Sequence, residues 1–518
     1  MGKSVDLRMT NDDLRFKQAV RCSFGSQLLL NKSVIFFFLL LLGAGTYASA
    51  QGRYDLDVDK KTYDLFLTKD WKGLKQAAEA ALERGVDFYY LRLRLGIAED
   101  NLEKFNRAAT QYKKAQEFVP GDTLANWYRY ATLIKGGRET EARVLADKLT
   151  PWQKKYSFYK PFRLQSISLD GGALVAGKSE IIKINEDKRI SPVQNRTEQE
   201  RYRNIYYTNL LATLFAGKHL GISLGYGFMN TSRESNIGYR QPPLDSVVNA
   251  KINSAQFASK PYTTTQNNFY VGLGYQFNHG WSVAAAGNFL AYSGKTQEWT
   301  SSRNTANTGN IVSITETAFK GLDYSLSFAL RKRLSWLGLE GVFAYNHLSW
   351  NYNSKSSLSK TGVAATSNYL QSGLNLSFYP IGNNRLYLTS GLTYTKSDSA
   401  AFIFSQKIGG QVAKWLWAEG YISLGYMQGS MEGNSWIVYN NPDQVSWKTG
   451  LNLTISISKR VEIPLRIGMM RRQGQGIRFV GDQKGTNLAT DYYKYNHFTA
   501  DPYNYNHFTI NTGIKIYF

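Results

Sequence analysis

Residues 445–473 read VSWKTGLNLTISISKRVEIPLRIGMMRRQ. Val445, Trp447, Leu451, Leu453, Ile455 and Ile457 alternate with Ser446, Lys448, Gly450, Asn452, Thr454 and Ser456. After Ser458-Lys459-Arg460 the alternation resumes, with Val461, Ile463, Leu465, Ile467 and Met469 set against Glu462, Arg466 and Arg472. A period of two puts each set on its own face of a strand, so the stretch predicts a long hairpin, apolar on one side only. Strands of soluble sheets are usually about half this length.

The same pattern repeats along the chain. It predicts hairpins from 203–216 with 219–230, 267–278 with 281–292, 322–331 with 337–350, 368–379 with 385–396 and 400–409 with 414–428. A last strand, 507–518, needs a partner, and 162–175 is the candidate. Turns are short at one end, such as Asn278-His279-Gly280 and Gly382-Asn383-Asn384, and long polar stretches such as 232–253, 294–318 and 475–504 serve as loops at the other. Long alternating strands with one-sided short turns are the signature of a transmembrane antiparallel β-barrel, here of about 14 strands over residues 160–518. Short turns on the periplasmic side place both ends of the barrel segment there.

A barrel of this width is not filled by side chains alone. The inward positions carry Asp323, Arg331, Glu340, Arg385, Glu419, Lys448, Glu462, Arg466, Arg472 and Lys515, and residues 160–518 hold 36 basic against 20 acidic groups. A basic-leaning lumen implies an acidic cargo or surface. Trp281, Trp336, Trp350, Trp415, Trp417 and Trp447 near strand ends fit interfacial girdles. No catalytic, metal or cofactor constellation emerges: of five histidines only His347, near Asn346 and Ser349, could enter a histidine-serine-asparagine site, and no phosphate-binding glycine loop or paired histidine motif occurs.

Residues 34–42, VIFFFLLLL, follow Lys32 and precede Ala48-Ser49-Ala50, as in a secretory signal peptide cut before Gln51. Nine apolar residues are too few for a helical span. Cys22, the single cysteine, lies upstream of that cut, so thiol chemistry is not expected in the mature chain. Export argues against a nucleic-acid partner.

Residues 51–159 have helical spacing and a 34-residue repeat: Trp71, Leu74, Ala78 and Ala81 return as Phe105, Ala108, Tyr112 and Ala115, with a weaker copy in Ala142, Ala146 and Leu149. With Leu95-Gly96 and Pro120 in place, the segment resembles tetratricopeptide repeats. Such stacks offer a groove, and Tyr89, Tyr90, Trp127, Tyr128 and Tyr130 are the candidates to line it.

The chain closes on NTGIKIYF, in which Asn511, Gly513, Ile516 and Phe518 resemble the terminal signal read by the barrel assembly machinery. The block Tyr495–Thr499 repeats as Tyr505–Thr509. Pro502 after the first copy predicts loop for that copy and membrane strand for the second. The order signal peptide, helical repeats, barrel is similar to surface lipoprotein assembly modulators, exopolysaccharide exporters and YaiO-like barrels. That resemblance implies an integral outer-membrane protein of a Gram-negative bacterium, in contact with lipopolysaccharide and the barrel assembly machinery. Its periplasmic repeats are expected to recruit a protein or acidic polysaccharide cargo for export. A non-transporting scaffold that docks a periplasmic complex and a passive porin are the alternatives.

Overall fold

A computed structural model describes residues 53–157, 159–177, 193–239, 256–303, 310–350, 365–397, 399–441, 443–481 and 495–518. The stretch read as a signal peptide, residues 1–50, lies outside them. The described chain begins with seven helices: α1 Leu56–Leu67, α2 Trp71–Glu83, α3 Tyr89–Asn101, α4 Phe105–Phe118, α5 Thr123–Lys135, α6 Glu139–Val144 and α7 Pro151–Tyr156.

The 34-residue offset is visible in the packing. Trp71 and Phe105 each open a helix, and Leu74, Ala78, Ala81, Ala108, Tyr112 and Ala115 are all buried. Small residues at these sites let neighbouring helices approach. Gly96 belongs to the same packing, since a Cβ there would stand 2.5 Å from the Tyr112 ring. In the third copy Ala142, Ala146 and Leu149 are buried, but helix α6 stops at Val144 and a 3₁₀ turn, Ala146–Lys148, follows.

Sixteen strands follow: β1 Phe162–Ala176, β2 Val193–Ala216, β3 Leu220–Tyr239, β4 Gln256–Gln276, β5 Trp281–Arg303, β6 Asn310–Arg333, β7 Leu337–Trp350, β8 Ala365–Phe378, β9 Leu386–Lys396, β10 Ala400–Ala413, β11 Leu416–Leu424, β12 Met431–Glu432, β13 Ile437–Val438, β14 Gln444–Ser456, β15 Val461–Gly481 and β16 Tyr495–Tyr517. All but the short β12–β13 pair form one closed antiparallel barrel of fourteen strands. β1 and β16 seal it, from Ser166 opposite Tyr517 to Ala176 opposite His507. Outward positions are apolar and exposed, among them Leu210, Phe269, Leu326, Leu392, Phe404 and Ile510.

The strands are longer than the alternation predicts. β2–β6, β15 and β16 run 20 to 24 residues, and the stretches read as loops, 232–253, 294–318 and 475–504, contribute their ends to these strands. A strand needs only about ten residues to cross a bilayer. Beyond that height both faces meet water, so the period-two signal stops while the ladder continues. The wall is therefore tall along β2–β6 and β15–β16 and low along β7–β14.

The reading of 495–499 as loop is corrected by the same feature. Tyr495–Ala500 pairs with β15, and Pro502 stands opposite Gln475. Above Asn506, among the described residues, no strand pairs with β16 on its β1 side, and a strand edge is the place in a sheet where proline is tolerated.

Candidate functional site

The predicted strand 414–428 ends early, at Leu424, because the chain turns there. Gly425 has φ 121°, and a Cβ on it would collide with the Phe402 carbonyl in β10. From this turn to Asp443 the chain folds into the barrel. Gly429, Gly433, Asn434 and Ser435 all have positive φ and shape a small hairpin, β12–β13, inside the lumen.

The far wall holds this hairpin. Gln371 of β8 donates to the Met431 carbonyl at 3.0 Å and accepts from the Met431 amide at 2.8 Å. Asn346 of β7 donates to Gly429 O at 3.1 Å, and Asn288 of β5 to Ser435 O at 2.9 Å. Asn440 bridges Gln266 of β4 and Asp323 of β6, both at 3.0 Å. Arg331 of β6 reaches Asn434 at 3.0 Å. The near wall adds Lys448 of β14, bound to Glu432 and, at 2.8 Å, to the Tyr439 hydroxyl. In a ring of fourteen, β4–β5 stands opposite β11–β14, so the segment crosses the full diameter. Its root is tied down where Asp443 accepts from the buried Tyr505 hydroxyl.

Glycines in the wall make room for aromatic rings. A Cβ at Gly225 would overlap the Trp436 indole, and one at Gly450 would lie 2.5 Å from the Tyr421 hydroxyl, whose ring crosses from β11 onto β14. In the wall some of the glycine and tyrosine are thus coupled, a ring lying flat across the strand that carries the glycine.

Between hairpin and wall lies a cavity of about 870 Å³, lined in part by Tyr207, Phe228, Lys407, Tyr421, Asn452 and Arg466. Its three carboxylates are all answered. Glu340 takes Arg331 at 2.6 Å and Asn375 at 3.0 Å, Glu432 takes Lys448, and Asp323 takes the Ser349 amide at 2.7 Å along with Asn440. Lys407 is exposed to the cavity, and the half-exposed Arg466 side chain has Asp170 at 3.8 Å. The lumen thus presents open cations and no open carboxylate among the described lining residues.

Of the charges expected in the lumen, Arg331, Glu340 and Lys448 meet at the hairpin. Glu419 accepts from Asn452 at 2.9 Å and from Tyr387, and Glu462 accepts from Tyr517 at 2.8 Å. Lys515 lies 4.7 Å from the Tyr517 ring, and Arg472 is buried. Arg385 is a correction: it belongs to the turn before β9 and pairs with Glu103 in the α3–α4 turn, because the helices lie against that end.

The helical layer crosses the short-turn mouth. At the β1–β3 rim Glu139 meets Arg163 at 3.1 Å, Asp147 meets Lys218, and buried Arg143 donates to Lys160 O and Gly217 O between the rings of Tyr159 and Phe215. At the β8–β9 rim, on the opposite side, Asn106 N–H donates to Gly382 O at 2.8 Å and Asn383 to Glu103 O at 2.8 Å. The expected aromatic groove does not form as a row. Tyr130 is buried with Trp127 stacked on it, Tyr128 stacks on Tyr112, and Tyr89 bonds Asp122 at 2.9 Å. Tyr90 alone of the five is largely exposed, because the others fill space between helices.

At the chain end Asn511 faces inward and donates to Asp170 at 3.1 Å, while Ile516 and Phe518 are exposed outside. A Cβ on Gly513 would stand 2.7 Å from Asp170 Cα across the β1–β16 seam. His347 stacks on Tyr324 and contacts Asn368 at 2.7 Å, while Ser349 Oγ donates to Leu322 O. The inward hairpin itself was missed at the sequence level. Its signal is glycine at 425, 429 and 433 beside Asn434 and Asn440-Asn441, turn chemistry in a stretch that otherwise reads as strand end.

No protein-family model matches the chain, and no curated protein does. Similar solved structures include the TodX deltaS2S3 mutant monoaromatic hydrocarbon channel, at 10% identity over 68% of this chain and 91% of that one, with a TM-score of 0.40. A Pseudomonas aeruginosa FadL homologue follows at 9% identity over 70% and 91%, TM-score 0.38. The translocator domain of autotransporter NalP from Neisseria meningitidis has 7% identity over 74% and 98%, TM-score 0.28. At these identities the likeness does not reach the side chains of the lumen.

Proposed function

We propose that the chain is an integral outer-membrane conduit for small anionic solutes, held closed by its own 425–443 segment, with the helical layer on the periplasmic face. The inward hairpin carries this reading. A segment bonded to walls on both sides of the lumen excludes a wide permanent pore, and what it leaves is a solute-sized cavity. The exposed apolar exterior supports a membrane setting, and the short turns under the helices support the periplasmic assignment. Lys407 and Arg466 supply the anion preference, since every cavity carboxylate is already engaged.

Export of a macromolecule through the lumen requires the whole segment to leave, which costs every bond described above. The helical layer favours a second role, docking a periplasmic partner that triggers opening, because it touches both rims of the mouth. The test is liposome swelling with size-matched anionic, neutral and cationic solutes, using the chain with 428–440 replaced by a short glycine-serine link so that the lumen is open. The anionic solute should enter fastest, and adding K407Q/R466Q should abolish the difference. Equal entry of all three solutes through the opened barrel would refute the anion assignment.

A further inference from the structure

The inner wall from β10 round to β2 carries two tyrosine rings laid along it, with an arginine between them. The first ring follows a row of the ladder. Lys407 of β10 stands opposite Tyr421 of β11, Tyr421 opposite Gly450 of β14, and Gly450 opposite Gly468 of β15. A Cβ on Gly450 would lie 2.5 Å from the Tyr421 hydroxyl, and one on Gly468 would lie 2.9 Å from it. The ring therefore lies flush with the wall, with Lys407 beside its root and its hydroxyl on β15.

The next inward position on β15 is Arg466, which belongs to a second row. Arg466 stands opposite Asn511 of β16, Asn511 opposite Gly172 of β1, and Gly172 opposite Tyr207 of β2. A Cβ on Gly172 would lie 2.9 Å from the Tyr207 hydroxyl, so this ring also crosses a glycine and points toward Arg466 from the other side. Both tyrosines are half-buried and both line the cavity of about 870 Å³. The wall covers one face of each ring, and the other meets the lumen. Tyr270 of β4 shows the alternative, a ring buried against the Trp436 indole.

Amides and hydroxyls frame this platform. Asn209, Asn452, Ser423 and Ser405 are the next inward positions from Tyr207, Gly450, Tyr421 and Lys407, and all four line the cavity. The carboxylate beside Arg466 is Asp170, at 3.8 Å, and it already accepts from Asn511 at 3.1 Å and Asn209 at 3.4 Å. A solute that uses everything here has C–H groups on a ring face, hydroxyls at its rim and one carboxylate. An aromatic acid leaves the hydroxyl and amide rim without partners, and an open-chain acid leaves the ring faces bare.

We infer that the solute is a cyclic sugar acid. Arg466 takes its carboxylate, the Tyr421 face carries its ring, and Lys407 stands at the far edge of that ring. Tyr207 offers the same seat on the other side of Arg466. This deepens the anion reading given above and rests on it.

The test is isothermal titration of the full chain in detergent micelles with methyl glucuronide, gluconate, methyl glucoside and benzoate. These probes carry ring and charge, charge without ring, ring without charge, and a flat aromatic acid. Methyl glucuronide should bind about tenfold more tightly than each of the others. Y421L should bring it down to the level of gluconate and leave gluconate unchanged, whereas Y421F should keep the preference. R466Q should weaken both gluconate and methyl glucuronide and spare methyl glucoside. Folding of each variant is read separately by heat-modifiable migration. Equal binding of gluconate and methyl glucuronide by wild type overturns the ring platform while the anion reading stands. Tighter binding of benzoate makes the site one for aromatic acids and overturns the sugar assignment. Methyl glucoside binding as tightly as methyl glucuronide sinks the anion reading and the sugar acid with it. Binding of none of the four overturns the proposal, and the swelling assay on the opened barrel then tests the anion reading on its own.

Discussion

Replacing Gln371 with alanine tests how the hairpin is held. Within β12–β13 the hairpin's own bonds run through neighbouring positions, as in Tyr439 N–H to Ser430 O at 3.0 Å, which leaves both backbone groups of Met431 to Gln371. The substitution removes two buried hydrogen bonds and strands a donor and an acceptor. Each bond is worth roughly 0.5–1.5 kcal/mol net, and an unpaired buried group costs about 1–3 kcal/mol. Allowing for partial relaxation, the inward state loses about 2–3 kcal/mol, a shift of roughly 30- to 150-fold toward release. Ser435 is buried in this hairpin, and Cys22 is the chain's one cysteine, so S435C in a C22S background is a clean reporter. Its modification by a small maleimide should accelerate by that factor in Q371A. A change of less than twofold, with the barrel still folded, would refute the claim that Gln371 anchors the segment.

The membrane-crossing parts of the fold were legible because lipid enforces alternation on them. Leu326 and Phe328 face out while Ser325 and Ser327 are buried within, as period two requires. Above the bilayer that constraint ends, which is why 310–318 reads as loop and folds as strand. The repeat copies were legible because packing between helices needs alanine and aromatic residues at fixed offsets. The groove was not, because Tyr112, Tyr130 and Tyr90 look alike in sequence while only Tyr90 is largely exposed. The candidate site was half legible. Arg331, Glu340 and Lys448 announced themselves as inward charges, but Asn288, Asn346 and Gln371 gave no sign that their partners were backbone groups of a distant loop.

Three further outcomes follow from the packing. Gly225→Val should drive Trp436 from its seat and raise S435C labelling as Q371A does, whereas Gly274→Ala, where a Cβ meets nothing within 4 Å, should not. Arg143→Ala strands two carbonyls between helices and barrel, so limited proteolysis should cut within 54–160 at least tenfold faster while the barrel stays intact. Glu99 is buried, and desolvation raises its carboxyl to about 7. The folded state then holds a proton that the unfolded chain releases near its ordinary value of about 4.3, so helical-layer stability should fall as pH rises from about 4.5 to about 7 and level off above. Thermal unfolding followed by circular dichroism should show a loss of about 3 kcal/mol across that window, absent in E99Q.

Single-channel conductance in planar bilayers tests the closed lumen most directly. The full chain should be silent or pass only small, brief currents. A variant in which 428–440 is replaced by a short glycine-serine link should show a large, steady conductance, since nothing else among the described residues spans the barrel at that height. A wild type that conducts as fully as the deletion variant would contradict the account.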